Sequence, residues 1–205
     1  VFYTALYHAL IHPNILQDVN GQYPQMEGDK ILTTKGNRYT VFSLWDTYRA
    51  AQPLMTILQP ERMSDIINTM LHIYEQQGKL PVWHLMGCET NCMVGNPGVP
   101  VVADAILKDI KGFDSELAFK ALKESSMLPE RGMEYRIQYG FIPADKMTEA
   151  IAYDMEYAIA DWAVAQAARR LGKQDDYTYF LERSKSYKNY FDASTGFMRG
   201  KLSDG

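Results

Sequence analysis

The residues with the most chemistry per unit length lie between positions 81 and 104, where Glu89 stands in the run Gly87-Cys88-Glu89-Thr90-Asn91-Cys92-Met93. A carboxylate framed by Trp83, Cys88 and Met93 loses solvation, which favours the neutral carboxyl that a general acid needs. Capping a nearby helix or pairing with an arginine would serve the same residue equally well. His84 follows Trp83 and either faces the same pocket or makes a structural hydrogen bond. A second constellation is Ser43-Leu44-Trp45-Asp46-Thr47-Tyr48-Arg49. On a helix Trp45 and Arg49 share a face, with Asp46 beside it. Asp46 and Arg49 could then bind ligand hydroxyls while Trp45 stacks on an apolar ring face, or they could form an intrahelical pair next to a core tryptophan. A third group is acidic: Asp145, Glu149, Asp154, Glu156 and Asp161, with Lys146 among them. Glu149 and Glu156 are seven apart and share a helical face. Oxygen-rich clusters suit calcium, though no EF-hand loop is present, and a solvated acidic face is the plainer alternative.

The other reactive residues say less. His8 and His12 have i,i+4 spacing without the glutamate of a metalloprotease helix. Cys88 and Cys92 are too far apart for a C-x-x-C site and are expected to be free thiols.

The elements that must position these groups read as helices almost throughout. Phe2, Ala5, Leu6, Ala9 and Leu10 recur at helical spacing until Pro13-Asn14, and residues 17–38 are a glycine-rich loop. One helix is expected over 40–58, kinked or delayed by Pro53, and another opens on Pro60 and ends at Gly78. An irregular stretch covers 79–100. Further helices are expected over 101–110, after an Asp114 N-cap, in a short piece ending at Gly140, over 148–171 and over 175–191. No strand pattern stands out. The class is all-α, with helical hairpins stacked as a solenoid or as part of an α/α toroid. The long connections favour the toroid, whose loops gather at one end.

Composition narrows the function. Hydrophobic residues are 46% of the 205, enough for a core, and the net charge of −4 argues against a nucleic-acid partner. Fourteen tyrosines, three tryptophans and eight phenylalanines suit a sugar site, where ring faces meet C–H faces, although ordinary packing also uses them. No apolar run is long enough to span a membrane. A helical pattern at Val1 and an end at Ser203-Asp204-Gly205 lead us to expect a piece of a longer protein.

Four motifs carry a family resemblance across essentially the whole chain: Tyr39 to Ala50; Leu80-Pro81-Val82-Trp83 with Gly87-x-Glu89-Thr90-Asn91-Cys92-Met93; Gly140 to Asp145 with Met155-Glu156-Tyr157-Ala158 and Asp161-Trp162; and Tyr187 to Asp192 with Thr195 to Arg199. The chain resembles the calcium-dependent exo-α-mannosidases of glycoside hydrolase family 92. The resemblance implies that residues 1–205 are part of an (α/α)6 toroid whose remaining helices, and an N-terminal β-sandwich, lie outside this sequence. It implies inverting hydrolysis of terminal α-mannosides, α-1,2 or related, on glycans outside the cytoplasm, in the periplasm or secreted. Glu89 would be the acid, and the base would lie past Gly205. Trp45, Asp46, Arg49, Trp83 and His84 would bind substrate, with Glu156 and Asn91 as calcium ligands.

Two positions depart from the family pattern. His84 stands where many members carry an acidic residue; were that the true acid position, turnover would be lost or limited to good leaving groups such as mannosyl phosphates. Lys146-Met147 occupies a stretch associated with leaving-group recognition. A toroid glycosidase for another sugar is one alternative. A non-catalytic helical scaffold is another, and it predicts an exposed apolar groove and no effect of calcium on stability.

Overall fold

The computed structural model describes residues 1–205. Helix α1 (Phe2–Ala9) buries none of its side chains. Strand β1 (Asn14–Ile15) pairs antiparallel with β4 (Tyr39–Thr40), and between them β2 (Gln22–Pro24) pairs with β3 (Ile31–Thr33). The segment expected to be a loop is therefore a small hairpin on a second short ladder. Two- and three-residue strands are too short to show the alternation by which strands are recognised.

The helix expected over 40–58 is divided. Val41 takes a left-handed backbone, α2 is the single turn Leu44–Thr47, and α3 is Ala51–Leu58. Pro53 does not kink a helix. It sits in the first turn of α3, where its missing N–H has no intrahelical partner to lose. Helix α4 (Pro60–Gln77) has the expected ends, Pro60 in the first turn and left-handed Gly78 at the C-cap donating its N–H to Tyr74 O.

The irregular stretch contains β5 (His84–Leu85) and β6 (Cys88–Glu89), joined by Met86-Gly87 with both residues at positive φ, the turn that matches the twist of a tight hairpin. Helix α5 (Gly98–Leu107) follows. Asp114 caps α6 (Ser115–Ser125), accepting from Glu116 N and Leu117 N at 2.9 and 3.1 Å. Helix α7 (Met133–Tyr139) lies between left-handed Gly132 and Gly140. Helices α8 (Ala150–Arg170) and α9 (Gln174–Arg183) form a hairpin. The helix expected to run to 191 stops at Arg183; a 3-10 turn (Ser186–Tyr190) and a ladder of β7 (Phe191–Asp192) with β8 (Phe197–Met198) replace its end.

Helix α8 is the axis of the molecule, packed between α5 and α9. Its buried residues are mostly alanine (158, 160, 163, 165, 167 and 168), and small side chains let neighbouring backbones come close. The main core joins Ala160, Ala163, Ala165, Ala167 and Ala168 to Met63, Ile66, Ile67 and Met70 of α4, Val99 and Val102 of α5, and Phe180 of α9. No helix is long and apolar enough to cross a membrane.

Candidate active site

Three main-chain donors converge on Glu89. Its Oε2 accepts the N–H of Val82 at 2.8 Å, and its Oε1 accepts those of Trp83 at 2.9 Å and Asn91 at 2.8 Å. The hairpin makes this possible by folding the chain so that residues 82, 83 and 91 surround the side chain of β6. Thr90 closes the clamp, donating both its N–H and its hydroxyl to Trp83 O. The surroundings of Glu89 are therefore not the apolar ones that its neighbours in sequence suggest. Cys88 and Thr90 are exposed, Glu89 is half-buried, and its direct partners are main-chain N–H groups.

Two cations hold the far side of the clamp. Lys79 Nζ donates to Asn91 Oδ1 at 2.8 Å and pairs with Glu130. Arg131 donates to the carbonyls of Met93 and Gly95, reaching Gly95 O at 3.2 Å. Gly95 itself lies hard against α8: a Cβ there would sit 2.4 Å from Glu156 Cβ. This contact carries the loop after β6 onto the part of α8 that meets α2.

At that meeting, Glu156 accepts the Tyr48 hydroxyl at 2.7 Å and pairs with Arg49. The Arg49 guanidinium lies over the rings of Tyr48 and Trp45, at 4.3 and 5.3 Å, and donates to Trp45 O at 2.8 Å. Burial, then the neighbouring Glu156, pushes the Tyr48 hydroxyl well above its ordinary pKa. The intrahelical Asp46–Arg49 pair does not form. Asp46 is exposed and accepts the Ser43 hydroxyl, while Arg49 reaches across to α8. The Trp45 indole N–H is buried without a partner, and Trp83 is half-buried beside the clamp.

His84 requires a correction. It is fully buried, packed near Phe42, with Nδ1 3.2 Å from the Thr40 hydroxyl, so it cannot touch a ligand on this surface. Burial, then the Arg38 guanidinium, pushes its pKa down to about 4, so the ring is neutral near pH 7. Its role is architectural: its carbonyl accepts Phe42 N at 2.9 Å, tying the segment before α2 to the hairpin, and it lies directly across the ladder from Glu89.

The proposed calcium ligands also need correction. Both Glu156 oxygens are engaged, one by a guanidinium, and the Asn91 amide oxygen holds an ammonium. Positive groups in those places oppose a dication, and no three His, Cys, Asp or Glu side chains come together in a metal-holding group. As held here, Glu156 and Asn91 do not fit calcium. The acidic stretch is a solvated face only at Asp145 and Glu149, which are exposed. Asp154 and Asp161 are fully buried in an ionic network with Arg136, which contacts Asp154 at 2.6 Å and Asp161 at 2.5 Å; Arg183 adds a bond to Asp161 at 2.7 Å. Ser186, Tyr190 and the Ile142 N–H complete the shell of Asp154 at 3.0, 2.8 and 3.2 Å. Both cysteines are free and exposed, as expected.

Lys79, Arg131 and Tyr48 were not among the residues singled out in the sequence. Tyr48 lay inside the Trp45–Arg49 run, but Lys79 and Arg131 belong to connections with no recognisable motif. The larger hollows lie elsewhere. One of about 720 Å³ is lined by Arg136, Arg183, Lys185 and Lys188, and one of about 490 Å³ is an apolar trough along Met155, Ile159, Trp162, Leu181 and Tyr187. Glu89 lines neither, so this chain presents the carboxylate without enclosing it.

These hairpins and loops are part of an (α/α)6 toroid, the fold of the solved structures that the chain matches. All of residues 1–205 match the model of the glycosyl hydrolase family 92 catalytic domain, and the chain belongs to that family. The family GH92 α-mannosidase BT3965 from Bacteroides thetaiotaomicron, solved in complex with mannoimidazole, is 44% identical with a TM-score of 0.95; the match covers 99% of this chain and 27% of that one. The family GH92 inverting mannosidase BT2199 of the same organism is 31% identical with a TM-score of 0.91, over 100% of this chain and 29% of that one. An uncharacterized secreted glycosidase of Arthroderma benhamiae is 27% identical over 98% of this chain and 24% of its own length. The chain thus spans about a quarter of these relatives.

Proposed function

We propose that this chain is a segment of a longer inverting exo-α-mannosidase, acting outside the cytoplasm on terminal α-mannosides, α-1,2 or related, with Glu89 as its general acid. The observation that carries the reading is the clamp on Glu89, the one carboxylate here held by three main-chain donors beside an open surface. Similarity to the two mannosidases supports the sugar and the stereochemistry, and the secreted fungal relative supports the location. The rest of the toroid and a β-sandwich would come from the rest of that protein, with further helices covering the apolar trough on α8 and α9.

In this mechanism the Glu89 proton passes to the glycosidic oxygen as the bond from that oxygen to C1 breaks. Water attacks C1 from the opposite face and loses its proton to a carboxylate outside this chain, so β-mannose leaves. Trp45 and Trp83 offer ring faces to the sugar. Arg49 uses two donors on Trp45 O and Glu156 and retains others for hydroxyls, with Asp46 as an acceptor beside it. Calcium dependence belongs to the longer protein as a proposal of its own, tested by a chelator, and no step is routed through Glu156 or Asn91.

The clamp fits a second reading as well, in which Glu89 takes the proton of the attacking water as the base. One experiment on the full-length protein separates them. As the acid, Glu89→Gln lowers kcat on an α-mannobiose by about 10²- to 10⁴-fold and spares a 2,4-dinitrophenyl α-mannoside, whose leaving group needs no proton. As the base, Glu89→Ala loses both substrates, and azide restores turnover by forming β-mannosyl azide. Unchanged turnover of both substrates in both variants would remove Glu89 from the chemistry altogether.

A further inference from the structure

The acid reading of Glu89 leaves open which oxygen carries the proton, and the clamp itself is asymmetric. Oε1 accepts two N–H groups and Oε2 one. A neutral carboxyl has a carbonyl oxygen with two acceptor sites and a hydroxyl oxygen with one remaining. All three donors stay satisfied in the neutral acid only if Oε1 is the carbonyl and the proton sits on Oε2. The asymmetry depends on Asn91, whose N–H is the second donor to Oε1.

Asn91 does not hold that position unaided. Its φ is 52°, a left-handed backbone that asparagine enters more readily than most L residues, but the direction of its N–H also depends on how its side chain is held. The support is Lys79, which precedes the hairpin and is 8% exposed. An ammonium so far out of water must be fully partnered. Glu130 supplies one partner and the Asn91 amide oxygen, at 2.8 Å, another. Beyond Asn91, Arg131 anchors Met93 and Gly95. The segment from β6 to Gly95 is thus pinned by one cation at each end, and the Lys79 end is the one that bears on Glu89.

We propose that Lys79, acting through Asn91, is a positioning residue for the acid: it keeps the Asn91 N–H on Oε1, and so fixes Oε2 as the oxygen that delivers the proton. This rests on the reading of Glu89 as the acid. When the Oε2–H bond breaks, the proton goes to the departing glycosidic oxygen and Glu89 remains as a carboxylate with its three donors in place. A proton from solvent restores it.

The test uses the full-length protein, with Lys79→Met, Lys79→Arg and Glu89→Gln each measured on an α-mannobiose and on 2,4-dinitrophenyl α-mannoside. Lys79→Met is expected to lower kcat on the mannobiose by about ten- to a hundredfold, the scale of a misplaced catalytic group, with KM little changed. The activated mannoside should lose no more than about threefold, because only proton delivery has suffered. Lys79→Arg should recover part of the mannobiose rate. Equal losses on both substrates would mean that Lys79 serves folding alone, and the proposal fails. Glu89→Gln keeps the two failures apart. If it shows the leaving-group split and Lys79→Met does not, the role of Lys79 is wrong; if Glu89→Gln shows no split, the acid reading falls and the positioning role falls with it. Should Lys79→Met not accumulate as folded protein, Asn91→Gly carries the test. Glycine accepts the left-handed backbone but removes the amide that Lys79 grips, so the same split is expected, and its absence overturns the proposal.

Discussion

Two acidic regions of this molecule solve the problem of holding a carboxylate in opposite ways. Around Glu89 the partners are main-chain N–H groups, fixed by a hairpin at the surface, and no cation touches the carboxylate. Between α7, α8 and α9 the partners of Asp154 and Asp161 are mainly side-chain cations and hydroxyls, with the Ile142 N–H as one main-chain donor to Asp154, all sealed from water. Main-chain donors orient a carboxylate without neutralising it, and leave one side free for a ligand. A buried guanidinium neutralises its partner completely and leaves nothing free. The first arrangement suits chemistry, the second suits a unique packing of three elements. Arg49–Glu156 lies between the extremes, with a half-exposed guanidinium and a nearly buried carboxylate.

The comparison breaks most readily at Arg136. Arg136→Met leaves Asp154 without its cation and Asp161 with Arg183 alone, and stability should fall by about 3–5 kcal/mol, the cost of stranding a buried charge. Urea unfolding of the variant measures it. A loss under 1 kcal/mol would mean that the network is no more than a surface pair in its energetics.

His84 gives the next largest effect, and it varies with pH. The unfolded ring takes up a proton near pH 6.5, the folded ring only at about 4. Between those values the unfolded state binds more protons, so stability rises with pH across the window and is lost as pH falls through it. The loss approaches about 3 kcal/mol by pH 4. His84→Gln, which cannot titrate, should flatten that part of the stability profile; an unchanged slope would place its source in another group.

Smaller effects sharpen the contrast. Asp114→Ala removes a cap that serves two N–H groups and should cost about 1 kcal/mol by thermal or urea unfolding. Arg49→Met should cost less than about 1 kcal/mol in the same measurement, because solvent screens its half-exposed pair. Its effect should appear instead as a higher KM for mannosides. A stability loss matching that of Arg136→Met would move Arg49 into the structural class.

How far the sequence could be read differs from region to region. Helix α4 announced both ends through Pro60 and Gly78, and α6 its start through Asp114, because proline, glycine and capping side chains act on the backbone next to them. The division of 40–58 into β4, α2 and α3 was hidden, since left-handed Val41 sits between Thr40, paired with Asn14, and Phe42, bonded to His84 O, and no local signal marks it. Glu89 and the Trp45–Arg49 run could be picked out as chemistry. Their partners could not: the Asp46–Arg49 pair looked local and gave way to Arg49–Glu156, 107 positions apart.

The sequence by itself determined the helical class, the termini set by proline, glycine and caps, the free thiols and, through its motifs, the family. Each of these depends on residues close together along the chain or on the order in which they occur. Tertiary structure alone decided that His84 is buried, that Asp154 and Asp161 are paired rather than solvated, and that Lys79 reaches Asn91. Burial and charge pairing depend on which segments meet in space, and a side chain's neighbours in sequence do not specify those that fold against it.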